Sequence, residues 1–299
     1  MTEKQKNNRM NKKHADTNTE AKRERIAKVM ARAGLCSRRE AERWIEAGRV
    51  RVNGETLSTP AFTVIASDTV IVDNKPMPVA QETRLWRYHK PPGLLTSHND
   101  PEGRATVFEK MPPEMPRVVS VGRLDINSEG LLLLTNDGEL ARRLELPETG
   151  WTRRYRVRVH GIVKKHLLEK LIQGITIEGV RYGPVEATLD STQRANSWLT
   201  VSINEGKNRE VRRVMEHMDL QVTRLIRLSY GPFQLGKLGR GSVSEITGKA
   251  LREQLSVQNP PEKKARANSR KRARSQNLEG TRTADNKPTK ETNPDKINS

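Results

Sequence analysis

A single cysteine, Cys36, leaves the 299-residue chain without the means to form an intrachain disulfide, which fits a reducing compartment. Aromatic residues make up only 4% of the chain, and no apolar run is long enough to span a bilayer. The opening "MTEKQKNNRMNKKHADTNTE" has no apolar stretch after its charges, so no secretory signal is expected and the chain reads as cytoplasmic. The histidines (His14, His89, His98, His160, His166 and His217) form no metal-ligand pair with one another or with Cys36, and no metal site is expected. No Walker-type phosphate loop, no strand-borne GxGxxG and no GxSxG elbow is present. Metal, nucleotide and dinucleotide chemistry therefore finds no support.

Basic residues are in excess. Lys and Arg number 55 against 36 Asp and Glu, a net charge of +19. Residues 1–22 account for +3 of it and residues 262–299 for +6, so residues 23–261 are basic in their own right at +10. That balance points to a polyanionic partner for the body of the protein. The two ends, 1–22 and about 251–299, are polar, lack apolar periodicity and read as disordered basic tails. "KKARANSRKRARS" (263–275) is either a solvated tail or an electrostatic arm that strengthens nucleic-acid binding without choosing sequence.

Residues 23–84 read as a small separate domain. Ile26, Val29, Met30 and Ala33 mark one face of a helix that Gly34 ends. Ser37 caps a second helix, with Glu40 at the capping-box position and Ala41, Trp44 and Ile45 as its apolar stripe. "RVRVNGE" is a strand entering an Asn53-Gly54 turn. Arg38, Arg39, Arg43, Arg49 and Arg51 crowd the second helix and this strand, a face suited to phosphates. Cys36 beside it reads as a small packing residue. Over about residues 24–80 the stretch resembles the S4 RNA-binding module through "SRREAERWIEAGRVRVNG".

Residues 85–250 alternate short strands and helices with no βαβ rhythm, which predicts an α+β domain on a mixed, largely antiparallel sheet. Its motifs are "HKPPG", "GRLDINSEGLLLLTNDG", "RRYRV", "EGKNREVRRV" and "RLIRLSYGP". Lys90 before Pro91-Pro92-Gly93 reads as a turn-positioning residue, and Leu131–Leu134 as core strand. In that order the motifs resemble the pseudouridine synthases, and the S4 module with "EGKNREVRR" resembles the ribosomal, S4-bearing subfamily. "NDPEGRATVFEKMP" and "NREVRRVMEHMDLQVTRLIRLSYG" look most like its large-subunit rRNA branch.

The resemblance implies isomerisation of uridine to pseudouridine in ribosomal RNA, the large-subunit rRNA favoured, at a loop near the peptidyl-transferase centre. The reaction consumes no electrons, nucleotide or metal, so no cofactor is expected, and a monomer is. It implies that Asp125 of "GRLD" is the catalytic carboxylate, by attack on C1′ or by removal of a C2′ proton. It implies that Tyr155 packs on the flipped base, and that Arg212 holds Asp125 ionised and aimed, with Arg209 as runner-up. Arg123 either contacts RNA or pairs with Asp125 or Glu129. Lys207, Asn208 and Arg209, at a helix start, are expected to hold phosphate. Two other readings stay open: a small-subunit rRNA synthase, and a silent S4-type RNA-binding assembly factor.

Overall fold

The structure is a computed structural model that describes residues 23–249 and Leu251. Both tails of the sequence reading lie outside those residues, with one correction. Leu251, assigned above to the second tail, is buried and donates its N–H to the Thr247 carbonyl at 2.9 Å. Among the described residues no helix is long and apolar enough to cross a membrane.

The first elements are β1 (Glu24–Arg25), α1 (Ile26–Arg32), α2 (Arg38–Glu46), β2 (Val50–Val52), β3 (Glu55–Thr56), β4 (Thr63–Val64), β5 (Val70–Val72) and β6 (Lys75–Pro76). Strands β3-β2-β5-β6 form one sheet, and β1 pairs β4. The expected signals operate locally. Ser37 accepts the Glu40 N–H at 3.1 Å, and Asn53 and Gly54 both adopt positive φ. The Glu40 carboxylate does not complete the capping box; it turns instead to Trp44 Nε1 and Arg43. Ile26, Met30, Ala41, Ile45 and Val50 close a core of their own.

The larger part comprises β7 (Leu85–Lys90), β8 (Val119–Val121), β9 (Glu129–Thr135), α3 (Gly138–Glu145), β10 (Arg153–His160), α4 (Lys165–Lys170), β11 (Ile175–Ile177), β12 (Val180–Tyr182), β13 (Val185–Gln193), β14 (Asn196–Ile203), α5 (Glu210–His217), β15 (Gln221–Tyr230), β16 (Phe233–Gln234) and β17 (Val243–Glu245). A nine-stranded sheet runs β13-β14-β10-β15-β9-β7-β17, with β16 on β15 and β8 on β9. Its ladders are antiparallel except one: β9 meets β15 in parallel, Glu129 opposite Ile226 and Gly130 opposite Arg227. The mixed, largely antiparallel sheet is the one expected. Strand β10 alternates as its sequence does, with Tyr155, Val157 and Val159 buried and Arg154, Arg156 and Arg158 exposed. On the inner face, Val211, Val214 and Met215 of α5 pack with Val157, Leu199 and Val201.

The two parts are joined by polar contacts. Arg32 donates to the Gln81 carbonyl at 2.7 Å and lies 3.6 Å from Asp137, Lys28 pairs with Glu139, and Thr83 donates to Asp137 at 2.7 Å. Asp137 also caps α3, accepting the Glu139 N–H at 2.8 Å.

The parallel seam depends on Gly130. Its φ is +105°, and a Cβ there would overlap the Arg227 backbone carbonyl and amide. Gly130→Ala is therefore expected to destabilise the protein by about 2–4 kcal/mol, since neither strand backbone can yield cheaply. Chemical denaturation is the check; a change within about 0.5 kcal/mol means the seam is looser than its geometry.

Candidate active site

Asp125 lies in the loop between β8 and β9, and that loop is fastened on every side. Gly122, at φ +66°, takes the chain out of β8, and its N–H donates to Glu145 at 2.7 Å. Buried Leu124 gives its carbonyl to Thr96 at 2.9 Å, and Gly93 donates to the Ile126 carbonyl at 2.7 Å. Ser128 closes a turn onto the Asp125 carbonyl at 2.9 Å.

Lys90 fastens the loop from below. Its side chain is fully buried, and its ammonium lies 3.1 Å from the Asp125 carbonyl, 3.3 Å from that of Ile126, 2.8 Å from that of Ser128 and 3.1 Å from that of Pro91. Burial pulls its pKa down to about 8, against the opposing pull of Asp125 and Glu129. Lys90 positions more than its own turn: it is the interior cation on which the Asp125 loop rests.

Above the loop is a cleft of about 670 Å³, lined among others by Asp125, Tyr155, Arg209, Arg153 and Arg227. Its size suits a nucleotide. The Asp125 side chain is about one-third exposed, so a ligand in the cleft can reach it. Tyr155 is buried on the inner face of β10.

The two late-motif arginines divide the roles differently from expectation. Arg212 does not bond the carboxylate. Its guanidinium donates to the carbonyls of Asn127, 3.1 Å, and Val222, 3.3 Å. It therefore ties α5 and β15 to the loop that carries Asp125. Burial and the like charge of Arg209 lower its pKa from the usual arginine value, and Asp125 opposes them. Arg209, the runner-up, is the residue whose guanidinium comes within 4.0 Å of the Asp125 carboxylate. The reason is local: α5 begins at Glu210, and Arg209 precedes it at a left-handed φ of +50°, which turns its side chain out of the helical row.

Lys207 and Asn208 stand before the helix rather than in its first turn, and both line the cleft. The Lys207 ammonium is occupied, 2.6 Å from the Arg181 carbonyl and 2.5 Å from Glu205. Arg123 is exposed at the cleft mouth, while Glu129 is taken by Arg224 and by Arg240 at 3.1 Å. In the small domain, Arg49 pairs with Asp73 at 2.6 Å, Arg51 bonds Asn74 at 2.8 Å and Arg43 pairs with Glu40, while Arg38 and Arg39 remain exposed.

Sequence reasoning passed over two cleft residues. Arg153 is buried, donating to the Asn204 carbonyl at 2.7 Å and to the Tyr230 hydroxyl at 3.2 Å. Buried Arg227 donates to the Leu131 carbonyl at 2.7 Å, and its Nη2 has no partner among the described residues. A signal existed for Arg153: it has the parity of Tyr155, Val157 and Val159, so a charge stands at a core-facing position.

The chain is similar to known proteins. Residues 84–217 match the RNA pseudouridylate synthase family, and residues 24–70 match the S4 domain. An uncharacterized RNA pseudouridine synthase of Rickettsia felis is 46% identical over 228 residues, covering 76% of this chain and 99% of that one. The ribosomal large subunit pseudouridine synthase B of Salmonella typhi is 43% identical over 232 residues, 75% of this chain and 79% of that one. A crystal structure of a pseudouridylate synthase superimposes with a TM-score of 0.54 at 24% identity, covering 77% of this chain and 98% of the other, and shares the fold. The chain belongs to the RNA pseudouridylate synthase family, in a form that carries an S4 domain ahead of the catalytic domain.

Proposed function

We propose that the protein isomerises a uridine of large-subunit ribosomal RNA to pseudouridine, with Asp125 as the catalytic residue. The observation that carries this is a ligand-accessible carboxylate on a rigidly fastened loop, facing a nucleotide-sized cleft. The relationship to the large-subunit synthase of Salmonella typhi supports the choice of RNA. Asp125 acts where the N1–C1′ bond opens, through attack on C1′ or removal of a C2′ proton. The base turns and rejoins through C5, and the C5 proton leaves. Tyr155 packs against the base. Arg209 supplies positive charge to the carboxylate, and Arg212 holds the loop. The target base has to leave its stack to enter the cleft, so the substrate is an unpaired or easily unpaired uridine. The test is tritium release from C5-labelled uridine in large- and small-subunit rRNA fragments, followed by site mapping. Release from the large-subunit fragment is expected; release only from the small-subunit one overturns the choice of RNA.

The S4 module, which carries Arg38, Arg39, Arg43, Arg49 and Arg51, grips RNA without taking part in the chemistry. Deleting residues 1–84 removes the Arg32 and Thr83 contacts to Asp137 but leaves the α3 cap and the catalytic core intact. The truncated protein is expected to stay folded, with rRNA affinity at least tenfold weaker from lost phosphate contacts. Circular dichroism and filter binding check both parts; an unfolded product means the domain boundary is misplaced.

A further inference from the structure

The active cleft opens on the inner face of the sheet, whereas the outer face carries a second concentration of charge that the reaction does not use. Arg154, Arg156 and Arg158 stand exposed at alternate positions of β10, roughly 6.6 Å apart along the strand. None has an ion pair or a hydrogen bond from its side chain among the described residues. The nearby acids do not pair with these arginines. Glu129 is held by Arg224 and Arg240, and on β13, next to β14, Glu186 stands opposite Ser202 and Asp190 accepts the Thr200 hydroxyl at 2.9 Å. Arg158 even stands directly opposite Arg224 in the β10–β15 ladder, a like-charge pairing that a sheet ordinarily avoids.

An aromatic platform lies in the same surface. Trp198 of β14 is paired with Arg158 across the ladder, so it shares the outer face. The Arg156 guanidinium sits 4.6 Å above its ring, and that of Arg224 lies 5.9 Å from it. Ser202, opposite Arg154, adds a hydroxyl to the row, while the Thr200 hydroxyl opposite Arg156 is donated to Asp190 at 2.9 Å. A line of guanidinium groups without acid partners beside a flat ring has the chemistry of a nucleic-acid backbone track.

We infer that the outer face of β10 and β14 is a second RNA-binding surface, engaging backbone phosphates of the ribosomal RNA away from the modified uridine. The arginine spacing is comparable with the step between successive phosphates of one strand, and the row lacks the acid partners that would make it a merely solvated face. The inference rests on the reading of the protein as an rRNA-acting enzyme, and the test separates the two.

Full-length R154Q/R156Q/R158Q and R154K/R156K/R158K are compared with wild type on a long large-subunit rRNA fragment and on the minimal stem-loop that is modified. For the Gln variant, the slope of log Kd against log salt on the long fragment is expected to shrink by about 2, at ~0.7 per single-strand phosphate. Kd and KM on that fragment should rise roughly tenfold at moderate salt, while kcat and all constants on the stem-loop stay unchanged. The Lys variant should recover most of the affinity. An unchanged salt slope in a Gln variant with wild-type Tm overturns the inference, as does an equal loss of kcat on both substrates, which marks a structural role. If the triple Gln variant fails to fold, the single variant R156Q is measured on the same fragment: a slope smaller by about 0.7 sustains the inference, and an unchanged slope overturns it. If wild type forms no pseudouridine in any rRNA, the functional reading falls, and the Kd comparison still decides the surface.

Discussion

Asp125→Asn abolishes isomerisation while leaving rRNA binding within about twofold of wild type: this is the expected result with the largest effect. The amide keeps the size and shape of the carboxylate, and the loop that holds it is fixed by backbone bonds at Leu124, Ile126 and Ser128 that the substitution does not touch. What disappears is the negative charge, and with it the nucleophilic or basic oxygen that the proposed mechanism uses to open the N1–C1′ bond. A positioned acid–base group alone is worth on the order of 10²–10⁴ in rate, and loss of a nucleophile is at least as severe. Tritium release and filter binding on the same rRNA fragment measure the two properties separately. Near-wild-type activity would remove Asp125 from the mechanism and restore the reading of a silent RNA-binding factor.

Lys90→Met carries the second-largest effect. Methionine fills much of the same volume but leaves the carbonyls of Asp125, Ile126 and Ser128 without their common donor. The Asp125 and Ile126 carbonyls keep the Ser128 and Gly93 N–H groups, so the Ser128 carbonyl is the one left without its donor; a buried acceptor left unpaired costs about 1–3 kcal/mol, and a loss of that order in stability is expected. A shift of the loop by about 1 Å lowers kcat by on the order of 10²-fold, because the carboxylate no longer meets the sugar in a productive geometry. The wild-type enzyme offers an independent check through pH. The Lys90 ammonium, with its pKa pulled down to about 8, gives up its proton as pH climbs through that value, and kcat should fall with it. The sign on stability is opposite. The unfolded chain keeps its proton until near the ordinary lysine value of 10.5, so between about 8 and 10.5 the unfolded state binds more protons. Proton linkage at this site then raises stability with pH. A fall in kcat above pH 8 with no loss of Tm is therefore the signature; a flat profile to pH 9.5 would show that the loop does not depend on this charge.

Local signals made the small domain legible. A capping serine, an Asn-Gly turn and a helix-ending glycine act within a few residues, and α1, α2 and β2 fall where they indicate. Strands β11, β16 and β17 are two or three residues long and exist because a partner is present, so no periodicity could reveal them. The site divides in the same way. Asp125 and Tyr155 were marked by motif. The burial of Lys90 was not, because "HKPPG" reads as a turn and only the β7–β9 pairing brings its side chain beneath the loop. Arg209 and Arg212 were candidates for one role, but the chain enters α5 through Arg209 in a left-handed conformation, which separates the two side chains.

The parallel seam between β9 and β15 has a consequence for how the enzyme comes into being. On one side of it lie β7, β8 and β9 with Asp125 and Lys90; on the other lie β10, β13, β14 and β15 with Tyr155 and Arg227. Each group can zip up from its own antiparallel neighbours, whereas the seam pairs residues almost a hundred positions apart in the chain. Contacts of such long sequence separation are slow to form, since the intervening loop entropy is spent before they return anything. The cleft is therefore among the last features to be assembled, and β17 must come back to β7 before the sheet is complete. A partly folded chain would hold Asp125 and Tyr155 on two unjoined leaves, able to cling to RNA but without an assembled cleft. Activity would then appear in refolding as a late, single step after most of the secondary structure has formed, giving the cell a built-in guard against premature chemistry on its ribosomes.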